Sequence, residues 1–194
     1  NTPVIEIAED SFKNSKTEEA ILTEGIGYIR KGAFADCDCL HQVVLPISLK
    51  EIGDSAFENC SSLKSVSLPM MLEKIGDNTF KQTGLKTLKI PKSVYWIGDG
   101  VLSGCRKLEQ IIIPENIDTV PRRMFEECTA LKKVVLHENL NAIGDRAFFG
   151  CSSLDFIIIP DSAKSIGQDA FSNTDKQFII QCSFGSYAAE YARK

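Results

Sequence analysis

The chain has 194 residues, 43% of them hydrophobic and 25% charged, with a formal net charge of −4. The slightly acidic balance and the lack of a basic run or basic-aromatic motif exclude nucleic acid and an anionic membrane surface as the main partner. No segment reaches transmembrane length, so no membrane insertion is expected of this chain.

In chain order, the sequence opens Asn1-Thr2-Pro3-Val4 without an initiator methionine, and any signal peptide is expected to lie outside it. Residues 1–25 read as a degraded first repeat. Ile7 and Phe12 keep the five-residue separation of Ile52 and Phe57 further on, and the polar stretch 13–19 reads as a loop within that unit. From there a spine residue returns at Phe34, Phe57, Phe80, Leu102, Phe125, Phe148 and Phe171, in steps of 23, 23, 22, 23, 23 and 23 residues. A fixed period in this range signals a solenoid, whose units bury their apolar sides only against one another. Regular repeats are expected over 26–182 and a helical cap over 183–194, all within one domain. In the cap, Ser186 is placed to cap a short helix, Tyr187 and Tyr191 share a face, and Arg193 and Lys194 suit the negative end of the dipole. The array is expected to end naturally there.

The unit from Ile52 to Pro69 reads I-G-D-S-A-F-E-N-C-S-S-L-K-S-V-S-L-P, and the unit around Phe148 repeats it with Ile143, Gly144, Asp145, Ala147, Cys151, Leu154, Ile157, Ile159 and Pro160. Val66 and Leu68 alternate as in a half-buried strand, and Pro69 stands where a strand must stop because it has no N–H to offer. Stacked segments of this kind make a parallel sheet. Asp54 to Phe57 is too short for an ordinary helix, so one turn of α or 3₁₀ structure is expected there, capped by Asp54. Phe57 then points inward.

This pattern, I-G-D-x-A-F-x-x-C-x-x-L-x-x-V-x-L-P, resembles the BspA-like leucine-rich repeat family of bacterial and some protist surface proteins. The resemblance covers roughly residues 26–182. It implies an α/β-type solenoid: a right-handed coil of seven to eight repeats, with a parallel sheet on one face and short 3₁₀ or α turns opposite. It also implies a cell-surface or secreted role in adhesion or host contact.

Five of the seven cysteines, Cys37, Cys60, Cys105, Cys128 and Cys151, share one register, in which Thr83 and Thr174 stand in other units. Threonine replaces cysteine where a small side chain donates to a carbonyl, an exchange that no disulfide or metal site tolerates, so all seven cysteines are expected to be unpaired. Cys37, Cys39 and His41 alternate and are all zinc-ligand types, but they lack the spaced pairs of a structural zinc site. No metal or cofactor is expected.

The two histidines, His41 and His137, lie four repeats apart, roughly 20 Å at one strand spacing per repeat, and cannot act together. No nucleophile elbow, P-loop or dinucleotide motif occurs. The Asp54, Asp77, Asp99 and Asp145 column reads as capping, with Arg122 placed to relieve its repulsion. The chain therefore reads as no enzyme.

Function is then expected where the repeats differ. On the sheet face the outward column runs Val44, Ser67, Lys89, Ile112, Val135, Ile158 and, by extension, Ile179, with Phe156 in the parallel column. Contiguous apolar residues there mark either strand-forming preference or an interaction site. Before the turns, where other units carry small or charged residues, one unit has Tyr95-Trp96, types that anchor interfaces. The reading is a protein-binding module whose candidate contacts are Val44, Ile112, Val135, Phe156, Ile158, Tyr95 and Trp96, with host or extracellular-matrix proteins as possible partners. A structural spacer in a longer surface protein and an intracellular scaffold are the alternatives.

Overall fold

A computed structural model describes residues 5–193. The spine threads the coils. Phe12, Phe34, Phe57 and Phe80 stack with ring centroids 5.0, 5.3 and 5.6 Å apart and planes within 4° of parallel. Leu102 fills the next place, fully buried. Phe125, Phe148 and Phe171 resume the stack at 5.2 Å, and Phe178 extends it. Phe12 thus takes the first of eight spine positions among the described residues. Around it the leucine, isoleucine and valine columns form one continuous core. No single coil is able to bury its own share, which is why the period is so strict.

The coils carry two parallel ladders rather than the one sheet expected, the front one interrupted in the middle of the array. The front ladder comprises Glu19–Ile21 with Gln42–Val44, Gln110–Ile112 with Lys133–Val135, and Phe156–Ile158 with Ile179–Gln181. The side ladder comprises a five-stranded sheet of Ile5–Ile7, Ile26–Ile29, Glu51–Ile52, Lys74–Ile75 and Trp96–Ile97, and a three-stranded sheet of Thr119–Val120, Ala142–Ile143 and Ser165–Ile166. The side strands begin at the residue before the repeat's isoleucine, and each is only two residues long over most of the array, too short to announce itself by alternation.

The side ladder breaks between Trp96–Ile97 and Thr119–Val120, and the sequence supplies the reason. After each side strand a glycine N–H donates to the preceding coil: Gly53 to Ile29 O, Gly76 to Ile52 O, Gly98 to Ile75 O, Gly144 to Val120 O and Gly167 to Ile143 O, at 2.8–2.9 Å. The equivalent residue after Val120 is Pro121, which has no N–H. Glycine is otherwise required here because a Cβ on Gly76 would lie 2.5 Å from Asp54 N.

The turns opposite are not helical, which corrects the α/3₁₀ expectation. Alternate N–H groups bond within the turn and between coils: Ala56, Glu58 and Cys60 donate to Gly53 O, Ser55 O and Phe57 O, whereas Ser55, Phe57 and Asn59 donate to Asp77 O, Thr79 O and Lys81 O of the next coil. Positive φ at Ser55 (52°) and Asn59 (61°) aims these groups outward, and the pair recurs at Asn78 and Gln82, Gly100 and Gly104, Arg123 and Glu127, and Arg146 and Gly150. A helix would keep its hydrogen bonds to itself; this turn uses half of them to hold the next coil. Asp54 likewise does not cap its own turn. Its Oδ1 accepts the Asp77 N–H at 2.8 Å, and Asp77, Asp99 and Asp145 do the same for Asp99, Arg122 and Gln168. Arg122 also donates to Asp99 Oδ2 from Nε (3.0 Å) and Nη2 (2.7 Å), relieving the charge of the column.

The cysteine register is a hydrogen-bond ladder. Cys60, Cys105, Cys128 and Cys151 each donate from Sγ to the spine carbonyl of the preceding coil at 3.1 Å, and all seven cysteines are free. Thr83 and Thr174 donate to their own coils' spine carbonyls instead, at 2.9 Å. Helix Tyr187–Tyr191 closes the described chain, with Ser186 Oγ accepting from Ala189 N. Tyr191 meets Phe171 edge-on at 6.1 Å and so covers the end of the spine. Lys194 lies outside the described residues, as do residues 1–4.

Candidate protein-binding surface

The front ladder turns every second side chain outward, and here the coils cease to resemble one another. Ile112 (66% exposed) pairs across from Val135, and Phe156 (46%) and Ile158 follow on the next coil, all with their backbones held in strands. Ile179 is also exposed, but its predicted place is corrected. It pairs with Phe156, while Gln181 stands across from Ile158, because the last unit keeps the 23-residue step of the units before it. The apolar stripe therefore ends as a block of two columns, Phe156 and Ile179 beside Ile112, Val135 and Ile158.

Val44 does not join that block. It pairs with Ile21, also exposed, at the other end of the face. Between them Ser65, Ser67, Thr87 and Lys89 are exposed and polar, and their segments form no strand beyond a bridge from Thr87 to Gln110. At the corner between the two ladders, Ile47 and, one coil later, Met70 and Met71 are exposed. Sequence reasoning missed them. The signal was present: where Met71 stands, Ser48, Asn116 and Ser162 donate to carbonyls of the preceding coil, at Ile26, Val94 and Leu140. Methionine makes no such clamp, and Ser93 Oγ on the following coil is buried without a partner.

Tyr95 and Trp96 lie on the side ladder, so the structure does not bring them together with the front-face candidates. They are 56% and 46% exposed. Trp96 pairs with Lys74 in the last rung of the five-stranded sheet, and the Lys74 ammonium sits 5.9 Å from the Tyr95 ring centre.

The groups that suggested chemistry are occupied structurally. His137 Nδ1 accepts the Asn139 N–H at 3.2 Å, which leaves Nε2 to donate to Ile117 O at 2.9 Å. Cys37 is buried and donates to Phe12 O, whereas His41 lies 4.0 Å from Glu18. No group of three metal-ligand side chains forms among the described residues.

A stack of parallel coils with a uniform interior and variable outward ladders defines a leucine-rich repeat solenoid, a fold that generally serves as an interaction scaffold rather than a catalyst. The model of the BspA type leucine rich repeat region matches residues 5–130 and 50–178 in 6 copies, and the chain belongs to that family. Solved structures agree. A leucine-rich cell surface protein from Faecalibacterium prausnitzii is 30% identical with TM-score 0.74, covering 86% of this chain and 48% of that one. A leucine-rich repeat protein from Bacteroides ovatus is 28% identical with TM-score 0.69, over 93% and 55%. The T. pallidum leucine-rich repeat protein is 26% identical with TM-score 0.68, over 85% and 67%. The chain thus spans about half to two thirds of these structures' lengths. No curated protein matches it.

Proposed function

We propose that this chain is a non-catalytic protein-binding module of a cell-surface or secreted protein, making adhesive contact with a host or extracellular-matrix protein through the C-terminal half of its front face. The observation that carries this reading is the block of Ile112, Val135, Phe156, Ile158 and Ile179, all exposed on successive coils. Contiguous exposed apolar surface of this kind is characteristic of interaction sites. Strand backbones hold the block in place, so little ordering cost attends association. The surface role draws support from the Faecalibacterium prausnitzii neighbour, described as a cell surface protein. Among the described residues no helix is long and apolar enough to cross a membrane.

The test is capture of extracellular-matrix and host-surface proteins by the immobilised chain, compared with the triple variant Ile112→Ser, Phe156→Lys, Ile158→Ser. The variant is expected to keep its fold and lose the captured protein. Retained capture by a folded variant would place the interface elsewhere.

A further inference from the structure

Around Trp96 the side ladder forms an open cleft of about 370 Å³, lined by Glu51, Asp54, Lys74, Tyr95 and Trp96 together with Gly53 and Gly76. That volume is at the small end of ligand pockets, and its make-up of aromatic surface with a few polar groups is that of a small-molecule site. Register fixes its layout. Glu51 pairs with Lys74, and Lys74 with Trp96, so carboxylate, ammonium and indole follow on successive rungs spanning about 10 Å.

Two features make these groups available to a ligand. Elsewhere opposite charges on neighbouring coils neutralise one another, as Lys50 does with Glu73 at 2.7 Å and Lys81 with Glu58 at 2.9 Å. Glu51 and Lys74 are direct neighbours in the ladder, yet among the described residues neither enters an ion pair. Secondly, the rung beyond Trp96 is missing, because Pro121 interrupts the ladder and Thr119 belongs to the next sheet. The indole therefore stands at the edge of its sheet.

The chemistry of the lining selects the ligand. A cation stacked on Trp96 would sit beside the Lys74 ammonium on the adjacent rung, which opposes it despite the ring's attraction. An anion drawn to Lys74 would meet Glu51 on the following rung and Asp54 nearby. A neutral polyhydroxyl ligand uses both signs, since hydroxyls donate to Glu51 and accept from Lys74. The aromatic pair then asks for an apolar face on the same ligand. A pyranose ring has both, hydroxyls around its rim and a C–H face to lay on the indole. We infer that the Trp96 cleft is a glycan-binding site that stacks a neutral sugar ring on Trp96 and Tyr95 and hydrogen-bonds its hydroxyls through Glu51 and Lys74. It lies on the side ladder, apart from the front face, and is independent of the protein-binding surface proposed above.

Trp96 is the chain's only tryptophan, so its emission reports on this cleft alone. The experiment titrates the whole chain with chitohexaose, cellohexaose and mannohexaose at millimolar concentrations, following tryptophan emission, with an oligoarginine peptide and inositol hexaphosphate as charged probes. A saturable blue shift with at least one sugar and with neither charged probe is expected. Calorimetry with that sugar should then show affinity falling about tenfold or more in Tyr95→Ala and in Glu51→Gln, with unfolding midpoints unchanged. The front-face triple variant should bind the sugar like the parent chain. No shift with any of the three sugars, a shift with a charged probe instead, or sugar affinity unaltered in both folded cleft variants would overturn the assignment.

Discussion

The coils of Phe57 and Phe148 are almost interchangeable inside and unlike outside. Phe57, Cys60 and Leu63 are fully buried, as are Phe148, Cys151 and Leu154 at the same places. On the front face, the first coil presents Ser65 and Ser67 from a segment without strand pairing, and the second presents Phe156 and Ile158 from a paired strand. The difference teaches that the core fixes the coil but leaves the outer surface to its own residues. It also ties two properties together, since the outward β-branched and aromatic residues that make the later coils apolar also favour the strand itself.

The largest effect should come from breaking the shared interior. Phe57→Ala and Phe148→Ala should each destabilise the chain by about 3–5 kcal/mol, as large-to-small core changes do, and by similar amounts. Chemical denaturation measures both; a clear inequality would show that the two coils are not equivalent inside.

The thiols sharpen the same equivalence. Burial pushes Cys60 and Cys151 up to about 12 and Cys105 up to about 11, from an ordinary 9.0. The folded chain therefore keeps protons that the unfolded chain releases. Stability is fully present below pH 9 and is lost as the pH rises toward 11 to 12, by about 1.4 kcal/mol per pH unit for each thiol. The double variant Cys60→Thr, Cys151→Thr, which uses the residue already found in this register, should lose stability less steeply in that window. Equal slopes in urea denaturation between pH 9 and 11 would remove the thiols as the cause.

A smaller effect separates strand preference from surface chemistry. Ser65→Thr with Ser67→Val should extend pairing into the middle of the front face and stabilise by up to about 1 kcal/mol, visible as slower amide exchange at residues 65–67. Unchanged exchange would mean that something other than outward side chains withholds the strand there.

How far the sequence could be read follows from what repeats. The spine, the cysteine register and the Ser186 cap were legible because each is a residue type recurring at a fixed distance or standing at a recognised helix start. The second ladder was not, because two-residue strands carry no alternation. The turns were misread because Asp54-Ser55-Ala56-Phe57 has the length and capping residue of a helical turn; the contrary signal lay in the Gly and Asn residues recurring just before the cysteine register, where positive φ is required. Ile179 was misplaced by stepping 21 residues from Ile158, where the regular 23-residue step leads from Phe156 to Ile179 and from Ile158 to Gln181. Of the surface candidates, Ile112, Val135, Phe156 and Ile158 are exposed together, whereas Val44 stands at the far end and Tyr95 and Trp96 on another ladder.

The central claim, that the variable front face binds while the uniform interior only supports it, is tested most directly by two matched variants in one capture experiment. One carries Ile112→Ser, Phe156→Lys and Ile158→Ser; the other carries Ser65→Lys and Ser67→Lys on the middle coil. Both should unfold within about 1 kcal/mol of the parent chain, since exposed strand positions span about that range. The account predicts that the first loses the captured surface protein and the second keeps it. Loss in both, or in neither, with both folded, would contradict it.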